Sequence, residues 1–533
     1  MLKLLSPGGP PMTAVYCAGP ATTTLFDAAD AQYAMMKETL TSGGFQGKTE
    51  AEAERWLAVE QQELMRRLFQ GFVTLRGQAE ARVAVVGADG ERRTHVRHDA
   101  SRQLETVFGT VEVERTGYSG RGVSTLYPVD ALLNLPEKKY SLEVDRQVSM
   151  AAARMSFDES LSMLERLTGA HVPKRQAEEA VQRAARHFDV FYSCTELAFD
   201  GPTSELLVLS FDQKGIVLLT KDLAKATRKA AEGKRNKMDT RCSKGEVKRG
   251  RKRMAMVAAV YTVAPHERTS SDIIAGLRHL RDATPKARPR PEGKRVWASL
   301  EREAKDVIMD AFAEAESRDP RHEKRWLVLV DGDKKLARWA RAEARGRGVT
   351  ITLVLDFIHA LEYLWRAAHA FFDEGTEEVE AWVLERLQRM LDGPISNVVA
   401  GMTRMATLRG LSAKERRPVD KAAKYFLKRK DMMRYADLLS IGAPIATGII
   451  EGACRHLIND RMDITGARWR RSCAEAVLRL RSLVSSGDFD EYWAFHEDEE
   501  AQRNHASRYA GGRVPPVVRP SRRARLRICG GVE

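Results

Sequence analysis

The sequence contains few cysteines and no long apolar run. Its six cysteines are scattered over 533 residues, and no two of them form a Cys-x-x-Cys pair. This distribution argues against a zinc ribbon and against a disulfide framework, and it fits a reducing cytoplasm. No apolar run approaches the ~20 residues that are needed to span a bilayer. We therefore expect a cytoplasmic protein whose fold depends on neither disulfides nor structural zinc.

The charge balance of the chain is basic. Lys and Arg number 87 against 73 Asp and Glu, which gives a net charge of +14. A basic excess on a chain of this length suggests a polyanionic partner, of which nucleic acid is the commonest, although an ordinary basic enzyme remains an alternative. The length favours about two to four domains.

The N-terminal part of the chain is predicted to be helical and then β-structured. Residues 1–23 contain Ser-Pro-Gly-Gly-Pro-Pro and are expected to be a disordered leader, whose apolar stretch is too short for a signal peptide. Residues 24–76 show helical spacing of apolar residues, and residues 81–86 and 103–116 alternate with period two. A glycine within the second stretch predicts a hairpin. We assign residues 24–135 to this helical and small β region.

Residues 136–192 are predicted to contain three helices and a helix-turn-helix-like DNA-binding region. Val172-Pro173 opens the third helix, where a proline loses no hydrogen bond. Lys174, Arg175 and Gln176 occupy the first turn of that helix, which is where helix-turn-helix proteins present side chains to the major groove. The alternative is a plain packing unit with a solvated basic face.

From residue 200 onwards the order of elements changes. Apolar runs at 206–211 and 215–220, separated by a predicted Asp-Gln-Lys-Gly turn, and a third run at 254–264 predict a three-stranded meander. A helix over 297–316, a strand ending at Asp331, a helix to about 346 and a strand ending at Asp356 are predicted to follow. Strand–strand–strand–helix–strand–helix–strand–helix is the order of the ribonuclease-H-like fold, so we expect such a catalytic core over 200–374.

Three carboxylates are candidates for a metal site. Asp212 and Asp331 follow buried apolar strands, and Glu451 lies near the start of a predicted helix. Strand ends are rigid mounts at the rim of a sheet, where active sites of open α/β sheets collect. Three such carboxylates can hold two Mg²⁺ ions, which favour oxygen ligands and stabilise an in-line displacement at phosphorus. Taken singly, each acid is a weak signal, since Asp-Gly usually marks a turn and a Glu in a first turn usually complements the helix dipole.

Four longer segments form distinctive motifs: Ile445–Trp469, Val354–Trp365, Pro173–Glu178 and Ser485–Asp490. They resemble signatures of the ISKra group of bacterial insertion-sequence transposases, which are distantly Mutator-like. The resemblance extends from about residue 100 to 497. It implies a catalytic Asp-Asp-Glu triad of Asp212, Asp331 and Glu451 in a ribonuclease-H-like domain, an all-helical insertion over 375–440, and C-terminal helices over 441–497 that carry the glutamate.

The chain departs from the family pattern at one position, and two aspartates are candidates for the middle metal ligand. Gln213 stands where the family usually has glycine, but the preceding acid is kept. Asp356-x-x-His359 resembles the acid-x-x-His pair that follows the second catalytic Asp of Mutator-like transposases, which favours Asp331 as the middle ligand over Asp356. His359 is then an accessory group or, alternatively, a core histidine. Two neighbours of Glu451 in the signature are also taken as accessory residues: Arg455 and His456.

A basic stretch lies between the second and third predicted strands. Residues 221–253 carry 14 Lys or Arg against 4 Asp or Glu. A solvated loop is the usual reading of a charge run, but beside a carboxylate site we expect contacts with DNA phosphates, which weaken with salt. The residues assigned to these contacts are Lys234, Arg235, Lys237, Lys248, Arg249, Arg251, Lys252 and Arg253. A basic disordered tail is expected over 503–533.

The sequence thus predicts a DNA transposase that cuts element ends and joins them to target DNA. We expect two Mg²⁺ ions as cofactors, for which Mn²⁺ substitutes, DNA as the partner, a homodimer or larger assembly on DNA, and a location in the bacterial cytoplasm on the nucleoid. The alternatives are a structure-selective nuclease on the same fold and a catalytically inert DNA-binding protein. The intact set of three acids argues against the inert protein.

Overall fold

The structure is a computed structural model that describes residues 23–194, 204–232, 252–278, 288–464 and 466–519. The chain divides into two compact units. The first comprises Met1–Val148, Asp158–Ala177 and Ala494–Glu533, and the second comprises Ser149–Phe157 and Glu178–Trp493. The predicted leader, apart from Thr23, lies outside the described residues.

The first unit combines helices with two small antiparallel sheets. One sheet has the strand order β2-β3-β4, and the other pairs β1 with β10. The strands are β1 (Glu80–Ala81), β2 (His95–Thr106), β3 (Gly109–Gly120), β4 (Val123–Leu126) and β10 (Val517–Val518). The helices within this unit are Asp27–Thr41, Glu50–Gly77 and Pro128–Leu132. Four further helices each contain a sequence boundary between the units: Leu142–Arg154, Phe157–Thr168, Lys174–Ala184 and Phe489–Asn504.

The predicted hairpin in this unit is confirmed. β2 and β3 are antiparallel with Leu104 opposite Val111, and Gly109 at the turn has φ +110°, a left-handed value that favours glycine. Leu104 and Val111 are buried together with Val73 of the long helix. The strand predicted over 81–86 is shorter than expected. After β1 the chain turns back through 87–90, so that Val86 makes only an isolated bridge with Arg92.

The C-terminal tail is ordered further than the sequence predicted. A helix continues to Asn504, and Val517–Val518 pairs with β1. Tyr509 is buried in a cluster with Val85, Tyr118 and Leu126. A buried aromatic side chain stabilises the surrounding segment by removing a large apolar area from water, and the arginine-rich composition concealed this anchor. The prediction of disorder from residue 503 is therefore wrong up to residue 519, and residues 520–533 lie outside the described part.

The second unit contains a mixed five-stranded sheet. Its strands are β5 (Leu206–Val217), β6 (Lys252–Val263), β7 (Glu292–Ser299), β8 (Arg325–Val330) and β9 (Ile351–Leu355). Their order across the sheet is β7-β6-β5-β8-β9. β6 is antiparallel to both β5 and β7, whereas β5, β8 and β9 are mutually parallel. The unit is therefore mixed α/β, as the sequence predicted.

Two details of the predicted meander are wrong. The Asp-Gln-Lys-Gly segment is not a turn, because Asp212 to Gly215 continue β5 and pair with Val257 to Met254 of β6. The third strand of the meander is Glu292–Ser299, which the sequence assigned in part to a helix. β7 was missed because its first half is charged, and its buried Arg295 interrupts the apolar pattern. That charge is paired with Glu314.

The core of the second unit lies where helices cover the central strands. Most residues of β5, β6 and β8 are buried, as expected for strands with neighbours on both sides and helices on the faces. The helix Ala304–Arg318 packs against β5 and β6 through a stripe that includes Ile308 and Phe312. Phe312 lies 6.0 Å from Trp326 of β8, measured between ring centroids.

The remaining helices of the second unit follow the predicted helical regions. The segment over 375–440 is helical as predicted. In the described part of this unit, the helices that lie wholly within it are Phe188–Cys194, Lys225–Glu232, Ser270–Leu277, Ala304–Arg318, Lys334–Arg347, Phe357–Ala368, Glu377–Asp392, Ile395–Leu408, Ala413–Leu427, Tyr435–Ser440, Gly448–Ala453, Asp460–Met462 and Arg471–Ser486, with a π-helical turn at Cys454–Asn459. Short 3-10 turns occur at Thr220–Asp222 and Lys430–Met432. Among the described helices, none combines the length and the apolar character that crossing a bilayer demands.

The helix Ala304–Arg318 offers a matched test of the core. Phe312 is fully buried, whereas Met309 on the same helix is 41% exposed. Phe312→Ala should lower the free energy of unfolding by about 3–5 kcal/mol, because it leaves a cavity beside Trp326. Met309→Ala should change it by less than about 0.5 kcal/mol. Urea titration followed by tryptophan fluorescence measures both, and equal losses would contradict the placement of this helix over the sheet.

Candidate active site

Asp212 and Asp331 follow paired residues of the two central parallel strands. Phe211 pairs with Val330 in the last parallel register pair between β5 and β8. Asp212 and Asp331 are the next residues on these strands, so they lie side by side where the parallel pairing stops. Asp212 therefore lies within β5, which continues to Val217, and not at a strand end as predicted. Asp212 still lies at the edge of the parallel part of the sheet, as the prediction required, because β8 ends beside it.

The loop that carries Asp331 is held by hydrogen bonds from a distant helix. The hydroxyl of Tyr425 donates to the main-chain carbonyl of Asp331 at 2.9 Å, and Arg429 Nε donates to the carbonyl of Gly332 at 2.8 Å. Gly332 has φ +92°, and a Cβ at this position would meet Arg429 Nε at 2.7 Å. Glycine is thus required here both for its left-handed backbone and for this close approach.

Glu451 lies on a helix that packs against β5. It is an exposed residue in the first turn of Gly448–Ala453. Cys454 follows three residues later on the continuous helical segment, and its buried thiol donates to Asp212 Oδ2 at 3.1 Å. Residues three apart on a helix share a face. The Glu451 segment therefore approaches the sheet at Asp212.

Asp356 occupies a buried position beside these groups. It caps the helix Phe357–Ala368, and its Oδ1 accepts from the main-chain N–H groups of Ile358 at 3.2 Å and Thr447 at 3.3 Å. Its Oδ2 accepts from the Thr447 hydroxyl at 2.7 Å. Both oxygens are thus committed to protein donors. In the described part of the chain, Asp331 Oδ2 accepts no such bond, which favours Asp331 over Asp356 as the middle ligand.

Thr447 links Asp356 to Glu451. Its hydroxyl lies 2.7 Å from Asp356 Oδ2 and 3.3 Å from Glu451 Oε1. A hydroxyl has a single proton, so it donates firmly to only one of the two carboxylates at a time. The shorter distance indicates the buried Asp356 as the main acceptor, so the bond from Thr447 to Glu451 is the weaker of the two.

The accessory residues divide into two groups. His359 Nδ1 lies 4.0 Å from Asp356 Oδ2, and its charge when protonated lowers the pKa of Asp331, so it lies near both aspartates. His456 Nδ1 instead lies 3.0 Å from Asp460 Oδ2, and Arg455 Nε lies 3.8 Å from Asp460 Oδ1. These two exposed side chains contact Asp460, and within the described residues neither forms a hydrogen bond or ion pair with the three candidate ligands.

The electrostatics of the site favour a cation. Burial raises the pKa of Asp331, and the neighbouring charge of Asp212 raises it further. Burial and the contact with Asp212 also raise the pKa of the Cys454 thiol, so the sulfur stays protonated and acts as a donor. Two like charges at a partly buried rim repel each other unless a cation lies between them. The donor set of Asp212, Asp331 and Glu451 therefore fits hard divalent cations such as Mg²⁺.

The predicted DNA-contacting residues have mixed outcomes. Lys174 Nζ forms an exposed ion pair with Asp158 Oδ2 at 2.7 Å, and such pairs are weak enough to be exchanged for a phosphate. Arg175 and Gln176 lie in the first turn of the same helix, Lys174–Ala184. Lys252 is exposed at the start of β6, whereas Arg253 Nε donates to the carbonyl of Leu300. The predicted contacts outside the described residues are Lys234, Arg235, Lys237, Lys248, Arg249 and Arg251.

Sequence reasoning missed the residues that hold the site together. Tyr425 and Arg429 contact the Asp331 loop from about a hundred positions away in sequence, and no local pattern predicts such a contact. Cys454 could have been found, because it lies three residues after Glu451 on one helical face. Thr447 precedes Glu451 by one helical turn and could have been found in the same way.

The chain matches no protein-family model and no curated protein.

Replacing the middle aspartate tests the electrostatics of the site. Asp331→Asn removes one of two repelling charges and keeps the oxygen that accepts from the Asp333 N–H at 2.9 Å. In EDTA the variant should melt at a higher temperature than wild type, by about 2 °C for each 1 kcal/mol gained. Because the pKa of Asp331 is raised in the folded protein, the wild type should gain stability as the pH falls through that pKa.

The same variant should lose the stabilisation that Mg²⁺ gives. Differential scanning fluorimetry measures both the melting temperature in EDTA and its rise in Mg²⁺. The Mg²⁺ concentration is on the order of 10 mM, which suits a weak site. Asp333→Asn, which changes a neighbouring exposed carboxylate that caps the next helix, is the control and should keep the Mg²⁺ shift. A full Mg²⁺ shift in Asp331→Asn would remove Asp331 from the metal ligands.

Proposed function

We propose that the chain is a DDE transposase with a ribonuclease-H-like catalytic core, acting on the ends of a bacterial insertion sequence. The observation that carries this proposal is the juxtaposition of Asp212 and Asp331 beyond the last parallel pair of β5 and β8, with the Glu451 segment bonded to Asp212 through Cys454. The two aspartates lie side by side on neighbouring strands, and the helix that carries Glu451 contacts one of them. This arrangement supports a site at which carboxylates from three elements bind metal ions for a phosphodiester reaction.

The topology of the sheet also supports the ribonuclease-H-like assignment. Three strands in meander order are followed by two parallel strands with helices between them, and the first strand lies at the centre. This is the element order expected from the sequence, with β7 as the third strand. The helices from Glu377 to Ser440 lie in sequence between β9 and the Glu451 helix, which is the place of the all-helical insertion that the family resemblance implies.

The chemistry assigned to the chain's own residues is binding and positioning. Asp212, Asp331 and Glu451 would hold the metal ions, while Cys454 orients Asp212 and the Tyr425–Arg429 pair fixes the Asp331 loop. Two Mg²⁺ ions at these carboxylates would supply the positive charge that stabilises the attacking and leaving oxygens at phosphorus. Hydrolysis at the element end frees a 3′-hydroxyl, which then displaces a 3′-oxygen in target DNA, so no covalent protein–DNA intermediate is needed.

DNA recognition is assigned to the basic parts of the chain. We assign Lys174, Arg175 and Gln176, at the start of a helix, to contacts with element ends, and the basic segment before Lys252 to contacts with phosphates. Both assignments fit the net charge of +14. Two element ends require two active sites, so we expect a homodimer or a larger assembly on DNA.

Glu451→Gln separates the enzyme from an inert DNA-binding protein. The amide keeps the size of the side chain but is a poorer ligand for a hard dication, so DNA binding should survive while cleavage falls by ~10²-fold or more. Cleavage of a labelled duplex that carries authentic element ends, in Mg²⁺, measures the loss. A gel shift on the same preparation measures binding.

Glu377→Gln is the matched control, because Glu377 is also an exposed glutamate in the first turn of a helix. It should cleave like wild type. Undiminished cleavage by Glu451→Gln would remove Glu451 from the site. Absence of cleavage by wild type on authentic ends would favour the inert protein, and cleavage of branched DNA without regard to element ends would favour a structure-selective nuclease.

A further inference from the structure

A basic groove adjoins the Asp331 loop in the second unit. It has a volume of about 230 Å³ and is open to solvent. One side is the helix Lys334–Arg347, and the other is the end of the helix Ala413–Leu427 with the turn that follows it. Its polar lining consists of four cationic side chains, one acidic side chain and the backbone of Gly332: Lys334, Arg341, Lys428, Arg429 and Asp431.

Of the four cations that line this groove, Arg429 is hydrogen-bonded to Gly332, and the other three are exposed. Among the described residues, Lys334, Arg341 and Lys428 form no ion pair within 4.0 Å, and all three are exposed. The charges of Lys334, Lys424 and Arg429 lower the pKa of Lys428, which shows that like charges are crowded here. Concentrating cations costs free energy, and a bound anion recovers it.

The groove is coupled rigidly to the catalytic loop. Arg429, which lines the groove, donates to the carbonyl of Gly332, and Tyr425 donates to the carbonyl of Asp331. The Arg429 guanidinium lies 3.9 Å from the centroid of the Tyr425 ring, and that ring stacks on Tyr363 at 3.8 Å. An anion in the groove would therefore be held at a fixed position beside the residue that follows Asp331.

We propose that this groove binds the sugar-phosphate backbone of the DNA substrate next to the phosphate that is cut. The inference rests on the proposed function and extends it by assigning a substrate-backbone site to residues outside the predicted DNA-binding segments. Four cations against one carboxylate suit a polyanion. The cations are two lysines and two arginines, and phosphate contacts of this kind position DNA without reading its sequence.

The salt dependence of DNA binding tests the groove. The double variant Arg341→Ala/Lys428→Ala removes two contacts without touching Arg429, whose bonds hold the loop. The slope of log K against log salt is negative, and each lost phosphate contact makes it shallower by ~0.9. The double variant should therefore have a slope that is shallower than that of wild type by about 1.8. Fluorescence anisotropy measures this slope. The probe is a labelled duplex of arbitrary sequence, about 30 base pairs long, and its affinity is determined at a series of KCl concentrations.

Arg417→Ala/Lys421→Ala is the matched control. Both residues are exposed on the adjacent helix, outside the groove, and their replacement removes the same two charges. The control should leave the slope within about 0.5 of wild type, since an effect of net charge alone is screened. Equal slopes for the groove variant and wild type would overturn the proposal, as would equal losses in the two double variants.

Two further readouts separate this inference from the proposed function. The groove variant should keep the Mg²⁺-induced rise in melting temperature, because its metal ligands are intact, and should cleave element ends with a higher KM. If wild type binds DNA and cleaves element ends, and the groove variant has the same salt dependence and the same KM, the groove does not bind DNA. The proposed transposase function is then unaffected. If wild type binds no DNA, both fail. Millimolar inorganic phosphate could also compete with DNA for the protein while the groove variant keeps the salt dependence of wild type. That result would identify the groove as a site for a free anion and would also overturn the proposal.

Discussion

The parallel pairing of β5 with β8 is the constraint on which the candidate site depends. Hydrogen bonding between strands fixes their register, and a slip by one residue would send every side chain to the other face. With Phe211 opposite Val330, the next residue on each strand is an aspartate. Burial of both strands in the core then makes this register costly to change, so the packing of the sheet sustains the repulsion between the two carboxylates.

The third carboxylate depends on a different set of contacts. Tyr435 donates from a fully buried position to the carbonyl of Leu355, and the N–H of Phe357 donates to the carbonyl of Ile445. These bonds dock the segment before Glu451 onto the end of β9. Asp356 completes the docking by accepting from Thr447. The buried Asp356 therefore acts on the site through the position of the Glu451 helix, and its own oxygens stay bonded to protein.

Much of the second unit could be predicted from sequence because its central strands are continuous apolar runs. The segments before Asp331 and Asp356 were found in this way, and the candidate ligands followed from them. β7 could not be found, because Arg295 within it is neutralised by Glu314, a contact that sequence does not reveal. Gly215 and its neighbours looked like a turn, yet antiparallel pairing with β6 keeps them extended.

The basic groove, and the contacts of Tyr425 and Arg429 with the Asp331 loop, could not be predicted from the sequence for a related reason. Lys428 and Arg429 stand in a helical region full of charge, where solvated cations are the ordinary expectation. Only the folded chain brings them beside Gly332, whose left-handed backbone would have been assigned to an ordinary Asp-Gly turn. The distance in sequence between the partners hides both their contact and the concentration of positive charge.

A crystal structure grown in Mn²⁺, with anomalous diffraction recorded at the manganese edge, tests the central claim most directly. The account predicts one anomalous peak between the carboxylates of Asp212 and Asp331 and a second that also contacts Glu451, at the spacing of ~4 Å typical of two-metal sites. Peaks on Asp356 in place of Asp331 would reassign the middle ligand. Manganese peaks elsewhere in the molecule, with no peak at Asp212, would contradict the two-metal account.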